Sequence, residues 1–314
     1  MTKTVRCVTI YKQFRRKENA VSLRHESDMS RLTVPVTCSD EMPLGTYLRK
    51  YAGISAGMLK RLKQVPDGIT RSGMHLRTVD PVRSGDVILL HLPEHCGHTP
   101  NPALPVPVVY ESAQVLVCDK PAGIPAHPSV RHREDTLANW FAAVRPESGF
   151  HLLNRLDRNT SGLCLIAKTA YAANRLRGQV QKRYYALVPN GLTGSGTVDA
   201  PIAREQDSVI TRCVRPDGKP AVTHYRVMQQ TPQCTLLELM LETGRTHQIR
   251  VHMAHIGYPL LGDALYGGDC TVLQTHALHC GMLRFPDPAS GEEIVLQAPL
   301  RREMQEMLQK RPEI

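Results

Sequence analysis

The 314-residue sequence lacks the features that mark several large classes of protein. Its nine cysteines stand singly, and no two of them form a Cys-x-x-Cys pair. An odd number without the spacing of a disulfide framework or a zinc ribbon predicts reduced thiols. No continuous apolar stretch has the length of a membrane span, and the segment Met1 to Lys17 has charges but no apolar signal core. We therefore expect a cytoplasmic protein that does not enter a membrane.

Common catalytic and cofactor signatures are also missing. The nucleophile elbow Gly-x-Ser-x-Gly is absent, because Gly194-Ser195-Gly196 has the wrong spacing and lies in a polar stretch. The histidines His247, His252 and His255 do not follow the His-Glu-x-x-His pattern, so a zinc hydrolase has little support. There is no glycine-rich phosphate loop and no metal-ligand spacing. We expect neither a cofactor nor a metal.

Charge is the first positive feature. Lys and Arg exceed Asp and Glu by ten, while 41% of the residues are hydrophobic and 22% are charged. The overall composition is that of an ordinary globular protein, and the length suggests two domains. The basic excess suits a polyanion such as a nucleic acid, although it is equally compatible with a basic surface that takes no part in function.

Four segments can be separated along the chain. Residues 1–30 are polar and aperiodic, which predicts a flexible extension, and Met29 would make a natural second start. Residues 31–95 form a compact unit with helical and strand-like periodicities. Residues 96–107 are rich in proline and predict a linker, although His91, His95, Cys96 and His98 could be imagined as metal ligands. Residues 108–314 form the larger domain.

The unit 31–95 contains two predicted helices followed by short strands. The first helix follows Pro43, and the second follows Ser55 as its N-cap. The outer face of the second helix carries three basic residues: Lys60, Arg61 and Lys63. Such a face is often merely solvated. The order of elements nevertheless resembles the small S-four-like RNA-binding domain, although Asp67–Gly73 diverges from that domain's usual Gly-x-Val-x-Val-Asn-Gly segment.

The larger domain combines short strands with irregularly spaced helices. Strands are predicted at 115–117, 163–167, 184–188 and 237–241, and helices at about 136–144, 170–181, 246–256 and 300–310. Because the two types do not alternate regularly, we predict an α+β fold with a mixed, largely antiparallel sheet, and not a doubly wound one.

Three polar clusters stand out in this domain. They are Arg155-Leu156-Asp157-Arg158, Gln181-Lys182-Arg183-Tyr184-Tyr185 and the segment Glu242–His252. Taken singly, each has a structural interpretation. Asp157 could cap a helix or form a surface ion pair, Tyr184 could be a core aromatic, and Arg250 could be a solvated helix residue.

Taken together, the clusters resemble the RluA-type pseudouridine synthases. The family signature His-Arg-Leu-Asp-Arg-x-Thr-Ser-Gly is similar to Asn154–Gly162, with Asn154 in place of the common His. Further family motifs follow in the expected order: Lys120-Pro121-x-Gly123, Lys182-x-Tyr184, Gly244–His252 and Gly262-Asp263-x-x-Tyr266-Gly267. Four such motifs in order are far more specific than any one of them. The S-four-like unit is a usual companion of this domain.

The resemblance implies that the chain isomerises uridine in RNA. It makes Asp157 the catalytic carboxylate, either as a nucleophile or as a base, and makes Arg250 the cation that favours its ionised form. Tyr184 matches the residue that stacks on the target base and can take the proton from carbon 5. Arg155 matches the side chain that enters the RNA when the uridine is flipped out, while Leu156 anchors the loop.

Further roles follow from the same resemblance. Arg158 is expected to hold the loop, and Asn154 to affect loop packing but not activity. Additional RNA contacts are expected from Lys60, Arg61, Lys63, Lys182, Arg245 and His247. Structured RNA is the expected partner, with ribosomal RNA favoured and tRNA or mRNA still open. We also expect a monomer.

Two other functions stay open at this point. The chain could be a non-catalytic RNA-binding or ribosome-assembly protein that kept the fold. Retention of Asp157, Tyr184 and Arg250 argues against this, because a decayed site would be free to lose them. A metal-dependent hydrolase that uses the histidines would require bound metal.

Overall fold

Strands and helices fall into two groups along the chain in this computed structural model. The structure describes residues 5–8, 31–91, 96–206 and 208–309. The first group consists of β1 (Val5–Val8), β2 (Arg31–Pro35), β3 (Met42–Pro43), α1 (Leu44–Lys50), α2 (Ala56–Leu62), β4 (Ile69–Arg71), β5 (Met74–His75), β6 (Pro81–Val82) and β7 (Val87–His91).

The second group forms the larger part of the molecule. Its strands are β8 (Val108–Glu111), β9 (Val115–Lys120), β10 (His151–Leu152), β11 (Ser161–Ala167), β12 (Gln181–Val188), β13 (Ser195–Asp199), β14 (Ile202–Arg204), β15 (Arg212–Val214), β16 (Val222–Gln230), β17 (Thr235–Leu241), β18 (Leu278–Pro286) and β19 (Glu293–Gln297). Its helices are α3 (Leu137–Val144), α4 (Ala170–Leu176), α5 (Gln248–His255) and α6 (Arg302–Gln309).

The N-terminal unit has its own apolar core. An antiparallel sheet in the order β2-β7-β4-β5 packs with α1 and α2 around fully buried leucines and isoleucines. Helix α2 begins where the sequence predicted, because the Ser55 side chain accepts a hydrogen bond from the Met58 N–H. The unit contacts α4 of the larger part, where Tyr171 packs on its core and the Asn174 side chain donates to the Gly53 carbonyl at 3.1 Å.

The larger part is built on an eleven-stranded sheet. Its main path runs β13-β16-β17-β12-β18-β11-β9-β8, with β10 beside β11, β19 beside β18 and β1 beside β19. All pairs are antiparallel except β11 with β18 and β1 with β19. The predicted mixed, largely antiparallel α+β fold is confirmed. Strand β1 lies within the segment 1–30 predicted to be flexible, and the rest of that segment is outside the described residues.

Helix α4 is shorter than the sequence predicted. It ends at Leu176 and not near 181, because Arg177 is extended and Gly178 has a φ of +76°. A glycine in this left-handed conformation ends a helix without the steric penalty that other residues would meet. The chain is thereby free to start β12 at Gln181, which sets the position of Tyr184 in the sheet.

The segment 96–107, predicted to be a solvated linker, packs on the larger part. Val106 is buried in its core. The Asn139 side chain on α3 donates to the Thr99 carbonyl at 2.8 Å, and the Asn101 side chain donates to the Glu134 carbonyl at 2.7 Å. These bonds satisfy polar groups of an irregular backbone, so the segment is attached along its length and is not a free tether.

Within residues 5–8, 31–91, 96–206 and 208–309, no group of three His, Cys, Asp or Glu side chains is placed to hold a metal ion. His95 lies outside these ranges. No helix in the same ranges has both the length and the apolar character needed to cross a membrane. The eight cysteines whose side chains are described are free thiols.

Candidate active site

Asp157 lies in the loop that joins β10 to β11, and buried neighbours on both sides of it fix the loop. Leu156 is 3% exposed and packs in the core, as the sequence predicted for an anchor. The Thr160 N–H donates to the Asp157 carbonyl at 3.1 Å, which closes a tight turn. The carboxylate itself keeps 22% of its surface exposed. The backbone is therefore held while the side chain can meet a substrate.

Asn154 ties the start of the loop to strand β11. Its side-chain amide donates to the Leu163 carbonyl at 2.8 Å, and its oxygen accepts from the Leu165 N–H at 2.7 Å. The side chain thus continues the ladder that β10 begins. This buried contact accounts for an asparagine at a position where the family commonly has histidine, and it concerns packing of the loop.

Lys120 holds the other end of the loop from inside the protein. The fully buried ammonium donates to the carbonyls of Pro121, Ile124 and Arg158 at 2.8, 2.9 and 3.0 Å. Burial lowers the pKa of Lys120 to about 8, but three acceptors match the three donors of the charged form. Arg158 therefore secures the loop through its backbone carbonyl, while its exposed side chain reaches His132 at 3.3 Å.

Arg250 stands between two carboxylates. Its Nε and Nη2 atoms donate to the two oxygens of Asp263, both at 2.7 Å. Its remaining nitrogen, Nη1, lies 3.5 Å from Oδ2 of Asp157. Burial alone would lower the pKa of Arg250, but the bonds to Asp263 and the two negative charges outweigh it and raise the pKa. A permanent cation is thus fixed beside Asp157, about ninety residues away in sequence.

Asp263 and Tyr266 are site residues to which the sequence assigned no role. Asp263 is 1% exposed and orients Arg250, and the Tyr266 ring lies 4.9 Å from the Arg250 guanidinium carbon in a cation–π contact. The motif Gly262-Asp263-x-x-Tyr266-Gly267 was a signal for both. Its first glycine is required, because it has a φ of +76° and a Cβ there would lie 2.4 Å from the Thr275 carbonyl oxygen.

Tyr184 is positioned by strand β12 at the margin of the core. It is 7% exposed, and it pairs in register with Leu239 of β17. Burial raises the pKa of Tyr184 well above its ordinary value, and the nearby groups Cys280, Cys164 and Asp157 add to the rise. The phenol is consequently protonated at neutral pH and lies within electrostatic range of Asp157.

The residues predicted to contact RNA lie on several different elements of the structure. Arg155 is exposed, and its Nη2 donates to the Thr246 hydroxyl at 3.2 Å. Arg245 is also exposed and donates to the Pro220 carbonyl at 3.0 Å. His247 faces the carboxylate, with Nε2 3.9 Å from Oδ2 of Asp157. The others are Lys182, two residues before Tyr184 on β12, and three exposed residues of the N-terminal unit: Lys60 and Arg61 on α2 and Lys63 directly after it.

A family model and individual sequence relatives both match this chain, and they indicate the same family. Residues 114–255 match the family model described as RNA pseudouridylate synthase. The Bacillus subtilis (strain 168) protein named "Uncharacterized RNA pseudouridine synthase YjbO" is 38% identical over 276 residues, and the match covers 83% of this chain and 98% of that protein. The ribosomal large subunit pseudouridine synthase D of Pseudomonas aeruginosa is 39% identical over 263 residues, and the match covers 75% of this chain and 82% of that protein. The chain belongs to the RluA-type pseudouridine synthase family.

The fold of this synthase is shared with a solved structure. The human RNA pseudouridylate synthase domain containing 1 superposes with a TM-score of 0.52 at 26% identity, covering 64% of this chain and 85% of that one. The predicted family and the predicted enzyme class, an RNA-modifying isomerase, are confirmed. The alternative of a non-catalytic RNA-binding protein is not favoured, because the relatives are named as synthases.

Proposed function

We propose that this synthase converts uridine to pseudouridine in the RNA of the large ribosomal subunit, with Asp157 as the catalytic carboxylate. The observation that carries the proposal is the surrounding of Asp157, which is partly exposed and lies 3.5 Å from the buried Arg250. Tyr184 lies on β12, and Asp157 is among the groups that add to the burial-driven rise in its pKa. Both possible roles of Asp157, nucleophile or base, use its carboxylate, and the Arg250 guanidinium supplies a positive charge beside it.

The reaction moves the ribose from N1 to C5 of the same base. The bond between N1 and C1′ breaks, the base turns, and a bond forms between C5 and C1′. The proton on C5 is lost and N1 gains one, so no atom is gained or lost overall. Asp157 starts the sequence either by attacking C1′ or by removing a ribose proton.

Tyr184 is assigned chiefly to stacking on the target base. Its raised pKa keeps the hydroxyl protonated, so the phenol can take the C5 proton only if it gives up its own in the same step. Stacking requires no such change. A flat, largely buried ring at the edge of the site is suited to hold a base that has left the RNA stack.

Arg155 is assigned to the extrusion of the uridine. Its exposed guanidinium lies two residues before Asp157 and touches Thr246 beside α5, so it occupies the entrance to the site. Flipping a base costs about a few kcal/mol of stacking and pairing. A planar cation that occupies the vacated position offsets part of this cost.

The choice of ribosomal RNA rests on relatives and on the N-terminal unit. Relatives at 37–39% identity are named ribosomal large subunit pseudouridine synthase D. The exposed basic face of α2 supports residues 31–95 as an RNA-binding domain beside a catalytic domain at 108–314. A ribosomal substrate also implies a cytoplasmic place of action.

The test uses the purified full-length chain and large-subunit ribosomal RNA transcribed in vitro. We expect pseudouridine by mass spectrometry, and Asp157→Asn should abolish it while leaving RNA binding unchanged. Asp217→Asn, at an exposed ion pair, is the matched control and should behave as the parent. Product formation by Asp157→Asn at the parent rate would contradict the role of Asp157. Mapping pseudouridines in a deletion strain against its parent would identify the substrate, and unchanged ribosomal RNA would contradict that part.

A further inference from the structure

His247 has an unusual backbone conformation next to the proposed catalytic carboxylate. Its φ is +58°, and among the described residues only Ser72 is another non-glycine with positive φ. His247 also stands at the N-cap of α5, three residues before Arg250, yet its side chain makes no capping hydrogen bond. Residues other than glycine adopt this conformation at a cost, and such outliers cluster at functional sites. The imidazole is therefore available for contacts other than capping the helix.

The imidazole is held at one edge by Tyr266. The Tyr266 hydroxyl lies 2.8 Å from Nδ1, and the two rings meet edge to face with centroids 5.7 Å apart. The same hydroxyl accepts the Arg212 N–H at 3.0 Å. Because that N–H can only donate, the hydroxyl proton is free to go to Nδ1. We assign the hydroxyl proton to Nδ1, which puts the ring proton on Nε2, and Nε2 lies 3.9 Å from Oδ2 of Asp157.

The surroundings keep this ring neutral. Its side chain is 12% exposed, and burial is the main cause that lowers the pKa of His247. Among the charged groups that face it, Arg250 and Arg212 act in the same direction, while Asp157 and Asp263 oppose them. A neutral ring with its proton on Nε2 is a directed hydrogen-bond donor and not a second counter-charge for Asp157.

We propose that His247 is a positioning residue that directs its Nε2–H at Oδ2 of Asp157 and holds the carboxylate in its reactive orientation. The inference rests on the proposed role of Asp157. It differs from the sequence-based prediction that His247 contacts RNA. The 3.9 Å separation closes to a hydrogen bond on substrate binding, since catalytic hydrogen bonds are often long in ligand-free enzymes.

Tyr266 connects the two groups that face Oδ2. Its ring lies on the Arg250 guanidinium, and its hydroxyl fixes His247. Arg250 then supplies charge from one direction, and His247 supplies a directed donor from another. One tyrosine thereby sets the geometry of both partners of Asp157.

Two substitutions separate the donor from the rest of the side chain. His247→Asn keeps a polar atom near Nδ1 for Tyr266 and suits positive φ, but it has nothing at the Nε2 position. His247→Gln can place an amide N–H close to that position. The assay is single-turnover pseudouridine formation at saturating large-subunit ribosomal RNA, with the RNA Kd measured separately. His255→Asn, at an exposed position of the same helix, is the matched control.

We expect His247→Asn to slow the single turnover about 10- to 100-fold, as loss of one hydrogen bond to a charged group would. Its RNA Kd should stay within about twofold, and His247→Gln should recover most of the rate. If His247→Asn reacts at the parent rate but binds RNA more weakly, His247 is an RNA contact and the inference is overturned. Equal rates for His247→Asn and His247→Gln would also overturn it. If Asp157→Asn is inactive in the same assay, such results refute the positioning role alone; if it is active, the proposed function itself fails.

Discussion

The buried pair of Arg250 and Asp263 gives the most direct test of how the site is assembled. We predict that Asp263→Ala destabilises the protein and slows the reaction, although Asp263 is not proposed to touch the substrate. Without Asp263, the Nε and Nη2 atoms of Arg250 lose both of their acceptors. The guanidinium is then free to turn toward Asp157, which lies 3.5 Å away. A direct, close pair would occupy the carboxylate that the reaction needs.

The size of the effect follows from burial. Asp263 and Arg250 side chains are 1% and 8% exposed, so removal of one partner leaves a charge that water cannot reach. Such a loss costs about 3–5 kcal/mol. The lower end is expected here, because Asp157 remains as a partial counter-charge for Arg250. For a domain of this size, 3 kcal/mol lowers Tm by roughly 6–12 °C.

The assay combines calorimetric unfolding with single-turnover kinetics on large-subunit ribosomal RNA. The matched control is Asp269→Ala, an exposed aspartate six residues further along the same segment, and its Tm should fall much less, because it loses only an exposed hydrogen bond from the Thr271 N–H. The reasoning would be refuted if Asp263→Ala unfolded at the same temperature as the control. A lowered Tm with the parent rate below the transition would show that Asp263 supports the fold without positioning Arg250.

Three further predictions follow. Asn154→Ala should lower the unfolding free energy by about 2–4 kcal/mol, because two buried backbone groups of β11 lose their partners; retained activity at low temperature would fit its packing role, and an unchanged urea midpoint would contradict it. Tyr184→Phe should keep RNA affinity. Because burial raises the pKa of Tyr184, the rate of the parent should not change through titration of Tyr184 up to pH 9. A change of rate below pH 9 that the parent shows and Tyr184→Phe lacks would refute this. His276 and His279 have pKa values lowered by burial to about 2 and about 4, below the ordinary 6.5, so the unfolded state binds the extra proton and stability falls as pH drops below 6.5. At pH 5 each histidine lowers the unfolding free energy by about 2 kcal/mol, and His279→Gln should make the measured unfolding free energy depend less on pH.

Much of the fold could be predicted because its signals are local. Ser55 at a helix start and the apolar run 163–167 each carry their information within a few residues. The end of α4 was missed, although Gly178 was visible, because a glycine ends a helix only where the chain takes a positive φ. The packing of 96–107 was missed because proline-rich composition does not show that Asn139 of α3 donates a hydrogen bond to the Thr99 carbonyl.

The same division applies to the site. The order of short motifs was enough to indicate the family, the enzyme class and a group of residues around Asp157, since motif chemistry is written in neighbouring positions. Only the tertiary structure decided which of those residues contact one another and which face Asp157. It bound Arg250 to Asp263 through two bonds and left one nitrogen toward Asp157, and it placed His247 beside that carboxylate on a strained backbone. These relations depend on distances and burial between segments far apart in the chain, and no local pattern encodes them.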